Sequence, residues 1–285
     1  MNQKFKTYLV LLVCLFVTIF LVDCTTPKQK SFNNPYDPLS EVYDSATAVI
    51  TSGPDSNIIL KNSRKVEFAY SKANAVEFIE YKLNSMQAWI NPLKDSSFAF
   101  VKDSTIIFPQ LDDNDYTIFF QTKHKNKRDS LALKTRTFKI DSLSSPAIFL
   151  NPSYQRVKRG STNSIYCKVK EVPALLSSRV IITYDKNLVT VDSFATVNSF
   201  LKKNGGTPIT FVKKDSGKVE VNLAIAMGTP LGVTGSGAMF ELIYKTNARG
   251  VVSFQFINDS TVAKDTADRV ITMTGYDKST IYIDW

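Results

Sequence analysis

The chain has 285 residues, 44% of them hydrophobic and 12% aromatic. That much apolar surface excludes an intrinsically disordered chain, and the length admits about two domains of ~100–200 residues each. The formal charge is +9, but lysine and arginine are spread along the chain without a long basic stripe interleaved with aromatics, which argues against a nucleic-acid partner.

The first predicted element is a leader. Lys4 and Lys6 precede an apolar run from Tyr8 to Val22, shorter than the ~20 residues of a comfortable membrane span and suited to the core of a signal peptide. In "LVDC", Leu21 and Val22 before Cys24 resemble a bacterial lipobox, although Asp23 stands where that pattern has a small residue. The resemblance implies that Cys24 is acylated, that residues 1–23 are a lipoprotein signal peptide, and that the body is held at a cell envelope, in the outer membrane. Acyl chains contribute ~0.8 kcal/mol per buried methylene, so two or three hold a protein firmly. Residues 24–45, with Pro27, Pro35 and Pro38, read as an extended tether.

Beyond the tether no stretch has helical periodicity. Short β-branched and aromatic runs recur, cut by Gly, Pro, Asn, Asp and Ser. In residues 46–143 strands are predicted at AVIT, SNIILKN, KVEFAYS, EFIEYKLN, AWIN, FAFV, TIIFPQ, YTIFFQTKH and LKTRTFKID, the spacing of a two-sheet sandwich. In "LDDNDYTIFFQTKH", Leu111, an acidic turn and Tyr116 precede the alternating Ile118 and Phe120. This resembles the tyrosine corner of fibronectin type III and immunoglobulin-like modules, as does "VEFIEYKLNSMQAWI" with Tyr81 and Trp89. Asp112, Asp113 and Asp115 are a conceivable calcium set, but EF-hand spacing and a loop glycine are missing; no metal and no cofactor is expected. The run KHKNKR, Lys123 to Arg128, reads as a solvated hairpin tip.

Ser144-Ser145-Pro146 marks a boundary, and residues 146–285 form the second predicted domain. Of the 3 cysteines, Cys14 leaves with the leader and Cys24 takes lipid. Cys167, on one face with Ile165 and Val169, reads as a small buried hydrophobe. Further along come Tyr184-Asp185 followed by Leu188 and Val191, and a loop Gly235-Ser236-Gly237 leading into the strand Ala238 to Lys245. Gly250 precedes the next strand and Gly275 the last. In that order, over about Pro146 to Asp284, these features resemble a cohesin domain, a jelly-roll sandwich that receives dockerins. The expected fold class is therefore all-β, two β-sandwich domains, immunoglobulin-like followed by a cohesin-like jelly roll.

Alternation turns Val180, Ile182 and Tyr184 inward, together with Val219, Val221, Leu223 and Ile225. The opposite faces carry Ser177, Arg179 and Ile181, then Glu220, Asn222 and Ala224. A face built for solvation alone carries more Lys, Glu and Thr; an interface core tolerates this mixture around one anchoring Arg. Cohesins dock their partner through this sheet, so the resemblance implies Ser177, Arg179, Ile181, Glu220 and Asn222, with Glu241 and Ile243 on the strand after the glycine loop, as partner-binding residues. Arg179 falls where several cohesins present an acidic residue, so the partner's identity does not carry over.

Catalysis needs convergent groups, and none is visible. The single His, His124, sits in the lysine-rich run, where a neutral, oriented imidazole would be hard to maintain. Zinc would need three or four ligands, and the acidic residues mark turns such as Asp185, Asp215 and Asp259. The expectation is a non-catalytic, lipid-anchored envelope protein binding a protein partner, dockerin-like or other, as scaffold or adhesin. The alternative is a carbohydrate-binding lipoprotein accessory to polysaccharide use, stacking sugars on Tyr154, Tyr166, Phe194, Phe200 and Phe211. A purely architectural module would show the same alternation.

Overall fold

A computed structural model describes residues 34–36, 39, 40, 43–84, 86, 88–128, 130–196, 199–226 and 232–284; the leader and Cys24 lie outside them. Among the described residues there is no α-helix, only strands and short 3-10 turns.

The first module contains β1 Ala48–Ile50, β2 Ile58–Leu60, β3 Val66–Lys72, β4 Val76–Leu83, β5 Phe100–Lys102, β6 Thr105–Phe108, β7 Asn114–His124, β8 Ser130–Ala132 and β9 Arg136–Ile140. One sheet runs β1-β3-β6-β5 and the other β2-β9-β7-β4, with β8 folded back on β7. This is the two-sheet arrangement of an immunoglobulin-like sandwich. Its core is aromatic: Phe68 meets Phe108 and Phe120 edge-on at 6.2 and 5.0 Å, and Tyr81 meets Phe108 at 5.0 Å. The Tyr116 hydroxyl donates to the Asp112 carbonyl at 2.9 Å and closes the turn into β7. The AWIN segment is not a strand; only Ile90 bridges to Tyr81.

His124 corrects the reading of the charged run. It is fully buried, stacked on Tyr43 at 5.3 Å. Its Nδ1 accepts from the Asn126 N–H at 3.0 Å, so Nε2 carries the proton and donates to the Asp44 carbonyl at 2.8 Å. A neutral, oriented imidazole therefore pins the segment before β1 to the sandwich.

The second module contains β10 Ala147–Asn151, β11 Tyr154–Lys158, β12 Thr162–Thr183, β13 Val189–Ala195, β14 Thr207–Asp215, β15 Lys218–Ala226, β16 Val233–Thr246, β17 Gly250–Phe256, β18 Val262–Asp265, β19 Gly275–Asp277 and β20 Ser279–Asp284. The 22-residue β12 serves both layers. Its first half lies between β10 and β16, and β13 and β19 extend that layer. Its second half lies between β15 and β18, touching β17 at the end; β14 flanks β15, and β20 and β11 continue beyond β17. The inner faces of both layers close on one core, including Ile165, Cys167, Val180, Val221, Leu242 and Phe254.

The corner in β12 depends on residues that the sequence reading placed in a loop. Register shifts fall between Val169 and Val172 and between Val172 and Leu175, and the backbone is left-handed at Glu171 (φ 49°) and Ala174 (φ 39°). Their N–H groups are each taken by a hydroxyl of β16, Ser236 Oγ and Thr234 Oγ1, both at 2.9 Å. Gly235-Ser236-Gly237 is thus part of a strand. At Gly237 a Cβ would stand 2.6 Å from the Phe200 ring, so close packing asks for glycine there.

A polar joint connects the modules. Both oxygens of Asp112 reach across, to Asn151 Nδ2 at 2.5 Å and the Ser153 N–H at 2.9 Å. Asp113 accepts from Arg64, Ser142, the Leu143 N–H and Lys170 at 2.8–3.1 Å. Lys170 also reaches Asp141 at 2.6 Å, and Arg64 pairs with Asp277. Asp112 and Asp113 are therefore surrounded by donors from the first module, the linker and the second module.

Burial alone would raise the Asp113 carboxyl, but bonds from Lys170, Leu143 and Ser142 outweigh it and hold the pKa at about 2, against an ordinary 3.8. A depressed carboxyl contributes stability that is fully present above its ordinary value and is lost as pH falls through the folded value. The urea midpoint of the full chain is expected to fall as pH is lowered from 3.8 to about 2, and Asp113→Asn is expected to flatten that interval. An unchanged acid dependence in the variant would contradict the assigned role.

Candidate functional site

Directly opposed residues in antiparallel strands point to the same face. Across β14, β15, β12 and β18 this builds one outward surface. One row is Phe211, Asn222, Arg179 and Val262; the next is Ile209, Ala224, Ser177 and Lys264; a third has Lys213 and Glu220 and ends at Ile181, whose side chain is covered. Beneath them Val180, Val221 and Leu223 are buried in the core.

The surface has a polar centre beside an apolar edge. Arg179 Nε lies 2.8 Å from Glu220 Oε1, and Asn222 Nδ2 lies 3.3 Å from the same oxygen. The bond from Arg179 first, then that from Asn222, lowers the Glu220 pKa from its ordinary value. A shallow depression beside this pair is lined by Ser177, Arg179, Asn222, Leu223, Val262, Lys264 and Asp268, with Lys264 paired to Asp268 at 2.8 Å. On the flanking strand, Ile209 is 60% and Phe211 67% exposed, while Pro208, Thr210 and Val212 on the other face are half-buried. Single exposed apolar residues are ordinary. Here two neighbours on one face, rimmed by polar groups, form an exposed apolar patch.

Of the residues singled out from sequence, Ser177, Arg179, Glu220 and Asn222 come together here. Ile181 does not belong: it is 2% exposed. The chain passing from β17 to β18 crosses beside it; the Ile181 carbonyl accepts from the Ile257 N–H at 2.9 Å and its own N–H donates to Thr261 Oγ1 at 3.3 Å. Glu241 and Ile243 lie on the other layer, opposed to Tyr166 and Ser164, and point outward because Phe240 and Leu242 fill the core. The sequence reading missed Ile209, Val262 and Lys264 as members of this surface. In "TPITFVKKD" both alternating sets contain apolar residues, so period alone does not say which set faces out.

The aromatic row considered for sugars is not assembled. Tyr154 and Phe200 are 9% and 7% exposed, Phe194 packs on Phe240 at 5.3 Å, and Tyr166 lies on the other layer. Cys167 is completely buried, and burial raises its thiol pKa well above the ordinary value. Among the described residues no three His, Cys, Asp or Glu side chains are grouped so as to hold a metal. What the surface offers is shape, a guanidinium–carboxylate pair and exposed hydrocarbon.

No family model matches the chain, and no curated protein matches it. Among solved structures it is similar to a non-cellulosomal cohesin from the archaeon Archaeoglobus fulgidus, at 16% identity over 49% of this chain and 91% of that one, with a TM-score of 0.40. It is similar to the third ScaC cohesin of Acetivibrio cellulolyticus, solved with the ScaB dockerin, at 14% identity over 49% and 99%, with a TM-score of 0.42. A type I cohesin–dockerin complex from Clostridium thermocellum matches at 16% identity over 48% and 98%, with a TM-score of 0.41.

The placement separates surface from core in a measurable way. Ile181→Asp buries an unpaired carboxylate and is expected to cost ~3 kcal/mol or more, whereas Phe211→Asp is expected to change unfolding free energy by no more than ~0.5 kcal/mol. Urea denaturation of both variants checks this, and comparable losses would mean that Phe211 is covered.

Proposed function

We propose that the protein is a non-catalytic binding protein whose second module docks a protein partner through the outer face of β14, β15, β12 and β18. The observation that carries this reading is the pair Ile209 and Phe211, more than half exposed side by side and next to the Arg179–Glu220–Asn222 group. An apolar anchor beside one desolvatable charge pair is the composition of an interface centre, with the lysines and Asp268 as its rim. Dockerin partners belong to two of the solved cohesins described above; here the fitting partner presents an apolar side chain to Phe211 and a hydrogen-bonding group to Arg179. We further propose, from Lys4, Lys6, the apolar run and Cys24, that acyl chains on Cys24 hold the protein at a cell envelope.

The test is a binding comparison on envelope extract of the source organism, using the full chain, Phe211→Asp and Arg179→Glu. A specific protein retained by wild type and reduced at least tenfold by each variant, both still folded by circular dichroism, is the expected outcome. Equal recovery by all forms would sink the proposed face. In the same cells radiolabelled palmitate is expected to be incorporated into wild type and not into Cys24→Ala, and equal labelling of the two, or none of wild type, would refute the anchor.

A further inference from the structure

A second surface lies in the cleft between the modules, at the opposite edge of the same layer. It consists of two adjoining pockets, one lined by Arg156, Val157 and Lys158 and the other by Gln155, Arg156 and Val157. Consecutive strand residues point to opposite faces, so a cleft that touches all of them runs along the edge of β11, not over a face. Among the described residues β11 has a single ladder partner, β20, in parallel register from Tyr154↔Thr280 to Lys158↔Asp284. At its other edge the Lys158 carbonyl accepts from the Ser161 N–H at 3.2 Å and from the Thr246 hydroxyl at 2.9 Å, so the backbone groups left without a ladder partner are those of Tyr154 and Arg156. The facing wall is the first module's loop from Lys94 to Phe98, and Pro152, Asn163 and Ser164 complete the lining. No backbone hydrogen bond joins that loop to β11 among the described residues.

We infer that this cleft is a slot for an extended peptide, which adds to the β11 edge as a further strand. Donors and acceptors repeating at the strand spacing are matched by another extended backbone, and alternate side chains of the guest then find Phe98 and Val157 or the polar Ser96, Ser97 and Asn163. Charge complementarity sets the preferred guest. Lys94, Arg156 and Lys158 line the slot against Asp95 and Asp284; Arg156 is paired with Asp284, and Asp95 accepts from the Ser97 N–H at 3.0 Å. The Lys158 ammonium has no acidic partner among the described residues, so the guest peptide carries a carboxylate that reaches it. This surface is independent of the face around Phe211.

The experiment selects phage-displayed random heptapeptides on the full chain and titrates the synthesised winners by fluorescence anisotropy. Selected peptides enriched in Asp and Glu are expected. Their affinity is expected to fall at least tenfold on Ser97→Trp, which fills the slot, and several-fold on Lys158→Glu, with no change on Phe211→Asp. Amide exchange in β11 is expected to slow when peptide binds, a readout that decides the matter with Lys158→Glu even if Ser97→Trp does not fold. Failure to select any peptide, or winners insensitive to both slot variants, would overturn the inference. So would dimerisation that Ser97→Trp abolishes in the absence of peptide binding, since the edge would then belong to a second copy, or slot-dependent binding of oligosaccharides alone.

Discussion

At Glu171 and Ala174 one 22-residue strand turns left-handed, with φ of 49° and 39°, and the arrangement of the second module depends on that corner. Each left-handed non-glycine residue costs ~1–2 kcal/mol, offset in part by the bonds their N–H groups donate to the hydroxyls of Ser236 and Thr234 at ~1 kcal/mol each. The corner changes which alternating set faces inward. Before it the buried residues are Ile165, Cys167 and Val169; after it they are Ser178, Val180 and Ile182. Uninterrupted alternation would have carried Arg179 into the core and Val180 and Ile182 to the surface. The corner thus lets one strand close both layers around a single core and still turn Ser177 and Arg179 toward solvent beside Asn222.

The joint between the modules adds a second constraint. Asp112 and Asp113 are not surface-turn acids; they receive bonds from Arg64, Ser142, Leu143, Asn151, Ser153 and Lys170. Side chains from both modules converge on a pair of carboxylates, which fixes their relation at that point. Two features follow. The outer face around Phe211 stays open, and the loop Lys94–Phe98 is brought beside the edge of β11 to form the slot. The binding surfaces proposed for this chain therefore lie on the outer face of one layer and along its β11 edge.

Much of this was legible in the sequence. Period-two alternation in "RVIITY" and "KVEVNLAIA" marked the inward and outward sets of each strand, and the resemblance to cohesins, not the alternation, grouped Ser177, Arg179, Glu220 and Asn222 on one face. Tyr116 after an acidic turn announced a corner whose hydrogen bond to Asp112 is formed. The failures share a cause: each depended on residues remote in sequence. Ile181 is covered by the crossing near Ile257 and Thr261, His124 is oriented by Asp44, and Glu241 and Ile243 belong to the other layer because of a corner that alternation does not announce. The glycines at 235 and 237 read as a loop because the left-handed backbone at Gly235 (φ 118°) and the close approach of Phe200 to Gly237 are invisible to local pattern.

The central claim is that the face built by β14, β15, β12 and β18 is open in the folded chain, and hydroxyl-radical footprinting of the full-length protein tests it most directly. The account predicts rapid modification of Phe211, with Ile209 also reactive, while Ile181 and Tyr81, at 2% and 0% exposure, stay protected until the protein is unfolded. Protection of Phe211 equal to that of Ile181 in the monomer would contradict it, because the chain would then be covering the face proposed for docking.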